Sequence, residues 1–427
     1  MNSPAEIRQL LTDSFLAAVA AADPLKILPG HLPSPPGGRT LVVGAGKAAA
    51  SMALAVERHW PAGAALDGLV VTRYRHALPT ARIRVMEAGH PVPDETGEAA
   101  AREILQRVRG LTPSDLLIVL ISGGGSALLS LPVETVGMEA LKATTRELLR
   151  CGAPIQEINA VRKHLSAIQG GRLAAACKAP VLALIISDVT GDDPTHIASG
   201  PCAPDPTTFG DAVAILRRYG VDAPRAVRDH LERGARGEVP ETPKPGDMIF
   251  ARTENRVVAS AQQALRAASG FFQGRGISSL ILGDSVTGEA SEVAKVYGAL
   301  ARQVAQHGDP VKPPVALISG GECTVTLRGQ GRGGRCTEFL LSLAIDLAGL
   351  ANVHAIACDT DGIDGSEDNA GAVLFPDSVE RAAGMNLEAK AFLAGNDAYG
   401  FFSGLGDLVV TGPTRTNVND YRAILIA

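Results

Sequence analysis

The feature that most constrains the fold is a regular alternation of short apolar runs with longer segments of helical period. This alternation predicts βαβ units and a mostly parallel sheet. The predicted strands are Thr40–Val43, Gly68–Thr72, Leu116–Ile121, Val181–Ser187, Arg256–Ser260, Ser278–Leu282, Val315–Ser319 and Val353–Cys358. The predicted helices include Lys47–Glu57, Gly97–Arg109, Gly137–Cys151, Asp211–Tyr219, Ser260–Gln273 and Thr337–Leu347. We therefore expect an α/β protein.

The chain length predicts two domains. With 427 residues, the chain exceeds the usual size of a single hydrophobic core. The Pro-rich segment GEVPETPKPGD at 237–247 predicts the connection, because proline stiffens a linker. We expect a Rossmann-like, mostly parallel lobe over 1–237 and a smaller α/β lobe over 246–427. Residues 1–39 could pack on the second lobe.

Composition excludes several classes of partner. The net charge of −5 gives no reason to expect nucleic acid or an anionic membrane. The six cysteines form no CxxC pair and no zinc spacing. The N-terminus lacks a signal-peptide layout, and no apolar run reaches the roughly 20 residues that span a bilayer. We expect a reduced, cytoplasmic protein. The oligomeric state stays open, with a homodimer among the options.

Two apolar runs end in the same tripeptide, Ser-Gly-Gly. They read LLIVLISGGGS (Leu116–Ser126) and VALISGGECT (Val315–Thr324). Glycine lets the backbone approach a ligand closely, so each edge could receive an anion. The predicted anion-binding residues are Ser122, Gly123, Gly124, Gly125, Ser126, Gly320 and Gly321. The alternative is a turn shaped by packing alone. Glu322 could bind a metal or cap the next turn.

The first predicted strand leads into TLVVGAGKAAASM (Thr40–Met52). Its Gly44-x-Gly46-x-x-Ala49 pattern matches the dinucleotide fingerprint, in which phosphate is received at a helix N-terminus. Lys47 lies inside this turn, and the next strand ends in Thr72-Arg73 rather than in an acid for a ribose. The pattern favours phosphate as the ligand over nicotinamide. The alternative is a solvated Lys47 on an ordinary turn.

Aspartates follow two other predicted strands. One group is Asp188, Asp192 and Asp193, and the other is Asp359, Asp361 and Asp364. Hard oxygen ligands at a strand's carboxyl end suit Mg²⁺. A carboxylate there could also accept a hydroxyl proton as general base. Aspartate in loops is otherwise a common turn former.

Basic residues add the remaining candidates. Arg332 and Arg335 lie in a glycine-rich loop before a helix, where an arginine could stabilise a transferring phosphoryl group. We expect Arg332 to be solvated and Arg335 to be functional. Arg162, Lys163 and His164 share one predicted helix. We expect part of the charge of this helix to lie on its solvent-exposed face, and His164 to have a structural role. No nucleophile motif accompanies this set, which suits phosphoryl transfer.

Long segments of the chain resemble the glycerate 2-kinase family, also called the MOFRL family. They are VVGAGKAAASMA (Val42–Ala53), GHPVPDE (Gly89–Glu95), ISGGGSALL (Ile121–Leu129), INAVRKHLSAIQGGRLA (Ile158–Ala174), SDVTGDDPTHIASGP (Ser187–Pro201), SGGECTVT (Ser319–Thr326), GRGGRCTE (Gly331–Glu338), DTDGIDGSEDNAGA (Asp359–Ala372) and TGPTRTNVND (Thr411–Asp420). The resemblance implies ATP-dependent phosphorylation of D-glycerate at its 2-hydroxyl, with the active site in a cleft between two lobes. It implies catalytic roles for Lys47 and Arg335. Cys336 and Cys202 depart from the family pattern, which commonly has Asn and Thr there.

The resulting hypothesis is a Mg²⁺- and ATP-dependent glycerate 2-kinase. Lys47 and the first Ser-Gly-Gly edge would neutralise phosphates, and Arg335 would stabilise the transferring group. Arg162 or Lys163 would hold the substrate carboxylate. The general base and metal ligands would come from Asp188, Asp192, Asp193, Glu322, Asp359 and Asp361.

Two alternatives remain. An NAD(P)H-dependent hydroxypyruvate reductase would use Gly44–Ala49 as a Rossmann turn, with Arg73 near a 2′-phosphate. Family members have often been labelled as such reductases. A non-catalytic sensor of phosphorylated acids is the other alternative.

Overall fold

The structure is a computed structural model that describes residues 3–427. The chain divides into two compact units. The N-terminal unit is Pro24–Val258, and the C-terminal unit combines Ala259–Ala427 with the residues up to Asp23. Each unit is built on a six-stranded sheet. The two-part α/β architecture predicted from the alternation of apolar runs is confirmed.

The strands of the N-terminal unit are β1 Thr40–Ala45, β2 Leu66–Arg73, β3 Ile83–Ala88, β4 Leu116–Ile121, β5 Val181–Ile186 and β6 Thr253–Ala259. Those of the C-terminal unit are β7 Ser278–Val286, β8 Val315–Gly321, β9 Val353–Asp359, β10 Gly371–Leu374, β11 Leu408–Val409 and β12 Asp420–Ile426.

The helices are α1 Pro4–Ala20, α2 Pro24–Ile27, α3 Ala49–His59, α4 Glu95–Arg109, α5 Gly125–Leu128, α6 Gly137–Arg150, α7 Ile155–His164, α8 Arg172–Ala175, α9 Phe209–Arg218, α10 Arg225–Ala235, α11 Ala261–Gln273, α12 Ala290–His307, α13 Arg335–Leu347, α14 Ser378–Gly384, α15 Ala389–Ala394 and α16 Ala398–Leu405. Short 3₁₀ turns occupy Leu28–His31, Ile197–Ser199 and Met248–Arg252. None of the helices described in residues 3–427 has the length and apolarity to cross a membrane.

The N-terminal sheet has the strand order β3-β2-β1-β4-β5-β6. Strands β3 to β5 pair in parallel. Because β1, β4 and β5 are covered on both faces, every residue in them is buried. The strand order reverses between β1 and β4, and open α/β sheets bind ligands at the carboxyl ends beside such a switch point. This order confirms the Rossmann-like prediction.

The C-terminal sheet has the order β11-β10-β9-β12-β8-β7 and is mixed. Strand β7 is parallel to β8, whereas β12 is antiparallel to both of its neighbours, β8 and β9. Strand β10 is antiparallel to β9 and β11. The last strand of the chain therefore lies in the middle of this sheet. The predicted mostly parallel arrangement therefore applies to the N-terminal sheet, whereas the C-terminal sheet is mixed.

The Pro-rich segment lies inside the N-terminal unit, not at its border. The carbonyl of Pro243 accepts the amide of Asp205 at 2.8 Å, and Glu241 Oε1 lies 3.0 Å from His164 Nε2. After this segment the chain still adds β6 to the first sheet. The division consequently falls between Val258 and Ala259 rather than at the predicted 237–246. Proline stiffens this segment locally, while its neighbours decide the unit to which it belongs.

Candidate active site

The turn between β1 and α3 forms the first part of the N-terminal carboxyl edge. Every amide from residue 46 to residue 49 donates internally. The acceptors, in order, are the carbonyls of Val71 and Gly123, the Ser122 hydroxyl, and the carbonyl of Gly46. None of these four amides is therefore available to a ligand, whereas the turn of a dinucleotide-binding protein offers its amides to phosphate. What the turn after β1 offers a ligand is the half-buried side chain of Lys47.

Close packing of β1 against β4 explains the glycines of this turn. A Cβ on Gly44 would lie 2.1 Å from the Leu120 carbonyl oxygen. One on Gly46, whose φ is +142°, would lie 2.1 Å from Ser122 Oγ. Ser122 is itself fully buried, and its hydroxyl accepts the Ala48 amide at 3.0 Å. The predicted ligand-binding role of Gly44, Gly46 and Ser122 is thus replaced by a role in shaping the turn.

The anion-binding part of the first Ser-Gly-Gly edge is Gly123-Gly124. Within residues 3–427, neither of these two amides donates to another group. Gly124 has φ +81°, and a Cβ there would lie 2.9 Å from His90 Nε2 and 3.5 Å from Lys47 Cγ. Successive unused amides beside a lysine and an imidazole form an anion nest. Gly125 instead packs closely on Ala198, where a Cβ would be 2.6 Å from the alanine Cβ.

His90 is a site residue that sequence reasoning missed. It belongs to the quoted segment GHPVPDE and follows β3, a strand that was not predicted. Without β3, nothing in the sequence places this segment at the ligand-binding edge. The only available signal was the position of the segment within the family resemblance.

Arg162 contributes a positive charge that no carboxylate compensates in the described part of the chain. Its Nη2 donates to the Ser126 carbonyl at 2.6 Å, and Gln169 Nε2 donates to the same oxygen at 3.0 Å. Burial lowers the pKa of the Arg162 guanidinium to about 10. A desolvated cation without an acidic partner is costly unless an anion joins it. Arg162 is therefore suited to an anionic ligand.

Lys163 has a different environment from Arg162, and this environment argues against the predicted role of Lys163 in holding the substrate carboxylate. Its side chain is buried, and Nζ lies 3.4 Å from the equally buried Asp205 Oδ1. Burial lowers the pKa of Lys163, while Asp205 acts to raise it. An ammonium enclosed in this way fastens α7 to the loop before α9 instead of holding a substrate. His164, which contacts Glu241, is structural as expected.

The loop after β5 brings aspartates to the same edge. Asp188 and Asp192 are half-buried, and Asp192 has φ +54°. Asp193 Oδ1 accepts the Thr195 amide at 2.9 Å. Burial acts to raise the pKa of Asp193, but the hydrogen bonds from Thr195 and the charges of His196 and Lys163 lower it overall. Because β5 neighbours β4, these carboxylates follow the strand next to the nest.

The C-terminal unit has its own charged cluster, centred on Arg335 at the start of α13. Arg335 Nε lies 2.8 Å from Asp420 Oδ1, Nη2 lies 2.7 Å from Asp359 Oδ2, and Nη1 lies 3.4 Å from Glu322 Oε1. Burial acts to lower the pKa of Arg335, but Asp420, Asp359 and Glu322 raise it overall. Two of its partners are buried, whereas 57% of the Glu322 side chain is exposed. Glu322 is thus the contact that a ligand could displace.

Arg422 completes this cluster. It is buried, with Nη2 2.5 Å from Asp420 Oδ2. The two guanidinium groups of Arg335 and Arg422 face the three carboxylates of Glu322, Asp359 and Asp420, which leaves a net charge of −1. Such a cluster attracts a cation more readily than a bare anion. Asp420 and Arg422 were not singled out from the sequence.

Metal-ion ligands were predicted at four positions, Asp193, Glu322, Asp359 and Asp361. Glu322 and Asp359 both contact Arg335, while Asp361 Oδ1 accepts the Ile363 amide at 2.9 Å. Among residues 3–427, no three His, Cys, Asp or Glu side chains are grouped so that they alone could hold a metal. The oxygen donors nevertheless suit Mg²⁺, which usually takes one or two carboxylates and completes its shell with water and phosphate.

The second Ser-Gly-Gly lies within β8 and has a packing role. A Cβ on Gly321, whose φ is +97°, would lie 2.3 Å from both the amide nitrogen and the carbonyl oxygen of Val286. The Gly320 carbonyl accepts Arg422 Nη1 at 2.9 Å. The sequence therefore correctly found two glycine edges, but close strand packing explains the second one.

The two departures from the family pattern are both enclosed. Cys336 and Cys202 are fully buried, and burial raises the pKa of both thiols. Asp364, the third aspartate after β9, accepts the amides of Cys336 and Thr337 at 3.0 and 2.8 Å and so caps α13. Neither thiol lies where it could contact a substrate directly.

Together, the fold and its charged groups define a two-unit α/β protein with a candidate anion nest in its N-terminal unit and a net negative cluster in its C-terminal unit. A family model described as "Domain of unknown function (DUF4147)" matches residues 10–232, and one described as "MOFRL family" matches residues 315–420. The chain belongs to the glycerate 2-kinase (MOFRL) family.

Three relatives illustrate the similarity. A protein of Agrobacterium vitis, provisionally named hydroxypyruvate reductase, is 51% identical over 98% of this chain and 94% of its own length. The glycerate 2-kinase of Pyrococcus horikoshii is 40% identical over 90% of this chain and 86% of its own. The crystal structure of a glycerate kinase from Thermotoga maritima aligns with a TM-score of 0.88 at 35% identity, covering 99% of this chain and 100% of that one.

Proposed function

We propose that this protein transfers the γ-phosphoryl group of ATP to the 2-hydroxyl of D-glycerate. The observation that carries the proposal is the N-terminal edge, where the Gly123-Gly124 nest, Lys47 and the uncompensated Arg162 offer positive groups to two anions. A kinase for a hydroxy acid must hold a phosphate and a carboxylate at once. The names of the Pyrococcus and Thermotoga relatives support the same reaction.

Each group has a defined task in this reaction. Lys47 and the two nest amides neutralise phosphate oxygens, on which charge is spread in the transition state. Arg162 holds the carboxylate and thereby orients the 2-hydroxyl. That hydroxyl gives its proton to a carboxylate as it attacks, for which Asp188 and Asp192 are the candidates beside the nest.

The C-terminal cluster would serve the metal and the nucleotide phosphates. Mg²⁺, when bound, would neutralise charge on the phosphates. In the C-terminal unit the proposed ligands are Glu322, Asp359 and Asp361, in agreement with the net negative charge around Arg335. Asp193 is the proposed ligand in the N-terminal unit. The guanidinium of Arg335 is oriented by Asp420 and Asp359, so displacement of Glu322 would present Nη1 to a phosphoryl oxygen.

The reductase alternative meets a specific obstacle. A dinucleotide needs unused amides at the glycine turn to receive its pyrophosphate. In this turn the amides of residues 46–49 are all engaged internally. We therefore interpret the reductase name of the Agrobacterium relative as no guide to the activity of this chain.

The cellular context is also part of the proposal. All six cysteines are free thiols, which agrees with a reducing cytoplasm. We propose small-molecule partners only, with neither nucleic acid nor membrane involved, and a homodimer as the assembly to be tested.

The decisive experiment measures ADP release from ATP and Mg²⁺ with D-glycerate, and identifies the phosphorylated carbon by ³¹P NMR. We expect 2-phosphoglycerate, and no oxidation of NADPH with hydroxypyruvate. Lys47→Ala should lower kcat by about 10²- to 10³-fold, the scale of losing one group that stabilises transition-state charge. Lys178→Ala, which removes an exposed lysine of the same unit, is the control and should behave as wild type. Near-normal turnover of Lys47→Ala would contradict the assignment.

A further inference from the structure

We propose that Ser126 determines substrate specificity by accepting a hydrogen bond from the 3-hydroxyl of glycerate, and that Ser199 is the positioning residue that prepares Ser126 for it. The inference rests on the proposed glycerate kinase activity. It concerns the 3-hydroxyl of glycerate, which does not react. No residue has yet been proposed to bind this hydroxyl, because the nest is proposed to bind phosphate and the aspartates to accept the proton of the 2-hydroxyl.

A chain of hydroxyl groups fixes the direction of the hydrogen bonds. Ser199 Oγ donates to Asn159 Oδ1 at 3.3 Å, and Ser126 Oγ lies 2.8 Å from Ser199 Oγ. A serine hydroxyl has one proton. Since the proton of Ser199 is used on Asn159, the proton between the two serines must come from Ser126. Ser126 Oγ therefore has its proton engaged and its lone pairs available to a donor.

Exposure identifies Ser126 as the member of this chain that can reach a ligand. Ser199 is fully buried and Asn159 is 5% exposed, whereas Ser126 is half-buried. The Ser126 carbonyl also accepts Arg162 Nη2, the group proposed to hold the substrate carboxylate. A ligand on Arg162 would thus have its remaining polar groups near this serine.

The support beneath Ser126 is rigid. Ala198 and Ser199 have φ of +51° and +58°, a conformation that is unfavourable for residues other than glycine. Such backbone persists where its surroundings determine it. The Ser199 carbonyl accepts the Gly170 amide at 3.0 Å, and Gln169 Nε2 holds the Ser126 carbonyl. Both serines are therefore held from the backbone as well as through their hydroxyls.

The chemistry of glycerate selects the 3-hydroxyl as the donor. The 2-hydroxyl loses its proton during transfer and so needs an ionisable base. A serine hydroxyl that already donates its proton cannot take up another, but it can accept a hydrogen bond from a hydroxyl that stays intact. A site built around such a bond discriminates strongly against an analogue without the group, because its own polar atom is then left unpaired.

The test compares kcat/KM for D-glycerate and for D-lactate, which lacks the 3-hydroxyl. We expect Ser126→Ala to lower kcat/KM for D-glycerate by roughly 10- to 100-fold and to leave D-lactate nearly unchanged. The ratio between the two substrates would then collapse. Ser199→Ala should shift the ratio in the same direction by a smaller factor, mainly through KM. Ser126→Thr keeps a hydroxyl and should retain most of the discrimination.

The outcomes separate this inference from the proposed function. If wild type phosphorylates D-glycerate but Ser126→Ala slows both substrates equally, the specificity role is overturned. An unchanged ratio in Ser199→Ala, with folding verified by circular dichroism, would overturn the positioning role. A wild type that phosphorylates neither acid would overturn the kinase assignment itself.

Discussion

Adjacent residues of α7 place two positive charges in opposite surroundings. Arg162 is half-buried against the Ser126 carbonyl and has no carboxylate partner among residues 3–427, whereas Lys163 is enclosed with Asp205. Consecutive helix positions point about 100° apart, so one residue can face a ligand while its neighbour faces the interior. The sequence run Arg-Lys-His shows the two charged residues but not the face on which each lies. Their roles can be separated by experiment.

Lys163→Met should destabilise the protein by about 3–5 kcal/mol, because it leaves the Asp205 charge buried and unpaired. Its KM for D-glycerate should remain close to that of wild type. The measurement combines urea unfolding with steady-state kinetics. Arg162→Met is the matched variant and should behave in the opposite way, with a raised KM and little loss of stability.

A double variant refines this comparison. Lys163→Met with Asp205→Asn removes both charges and should recover part of the stability lost by the single change. If Lys163→Met instead raised KM at unchanged stability, the lysine would contact substrate after all and our interpretation of the pair would be wrong.

At the scale of elements, the strands predicted from the sequence are all present, and the missed ones have physical explanations. Edge strand β3 is buried only at its two end residues, and Arg84 and Glu87 interrupt it, so it lacks a continuous apolar run. Strands β10 and β11 span only four and two residues, too few for a pattern. Strand β12 is fully buried but carries Asp420 and Arg422, which neutralise each other. These segments form strands because they pair with strands that are distant in the sequence, which a local sequence pattern does not reveal.

The two Ser-Gly-Gly edges show the same limit on site prediction. In the first, Gly123 and Gly124 follow the end of β4, so their amides stay available for an anion. In the second, Gly320 and Gly321 are still inside β8. The local sequence is the same, and the neighbouring strands decide its use. Lys47 and the first nest could be proposed from local sequence, but Ser199 could not, because its contacts join segments far apart in the chain.

The packing role of Gly321 gives a direct prediction. Gly321→Ala should lower the melting temperature markedly, because the new Cβ would meet the Val286 backbone at 2.3 Å. Gly406→Ala is the control, since Gly406 has a positive φ of +71° but nothing within 4 Å of the added Cβ. Its cost should be limited to backbone strain, about 1 kcal/mol. Equal melting temperatures for the two variants would contradict the packing explanation.

At the scale of the whole molecule, the C-terminal unit contains two separate parts of the described chain, residues 3–23 and residues 259–427. Helix α1 contributes Leu11 and Phe15, both fully buried, to that unit. The Phe15 ring lies 6.0 Å from the ring of Tyr421, and Tyr421 Oη is 2.8 Å from Ser14 Oγ. The segment 1–39, considered as a single piece in the sequence, is therefore split, because residues from Pro24 onward belong to the N-terminal unit. The Pro-rich composition at 237–247 gave no indication of this arrangement.

This arrangement predicts which unit loses stability when a buried residue of α1 is substituted. Phe15→Ala should cost about 3–5 kcal/mol, the usual range for removing a fully buried phenylalanine side chain. The loss should be confined to the C-terminal unit. Hydrogen exchange followed by mass spectrometry should accordingly show faster exchange in α11 and β12, with β1, β4 and β5 as protected as in wild type.

Leu16→Ala provides the control on the same helix, because 43% of Leu16 is exposed and its neighbours lose little when it is shortened. Its exchange pattern should match that of wild type. Faster exchange in β1 and β4 of Phe15→Ala, with β12 unchanged, would mean that α1 stabilises the N-terminal unit. Lys47 and the Gly123-Gly124 nest, proposed to bind phosphate, follow β1 and β4, and Arg162, proposed to bind the carboxylate, lies on α7. Because all of them belong to the N-terminal unit, the binding of D-glycerate by the folded fraction of Phe15→Ala should remain close to that of wild type.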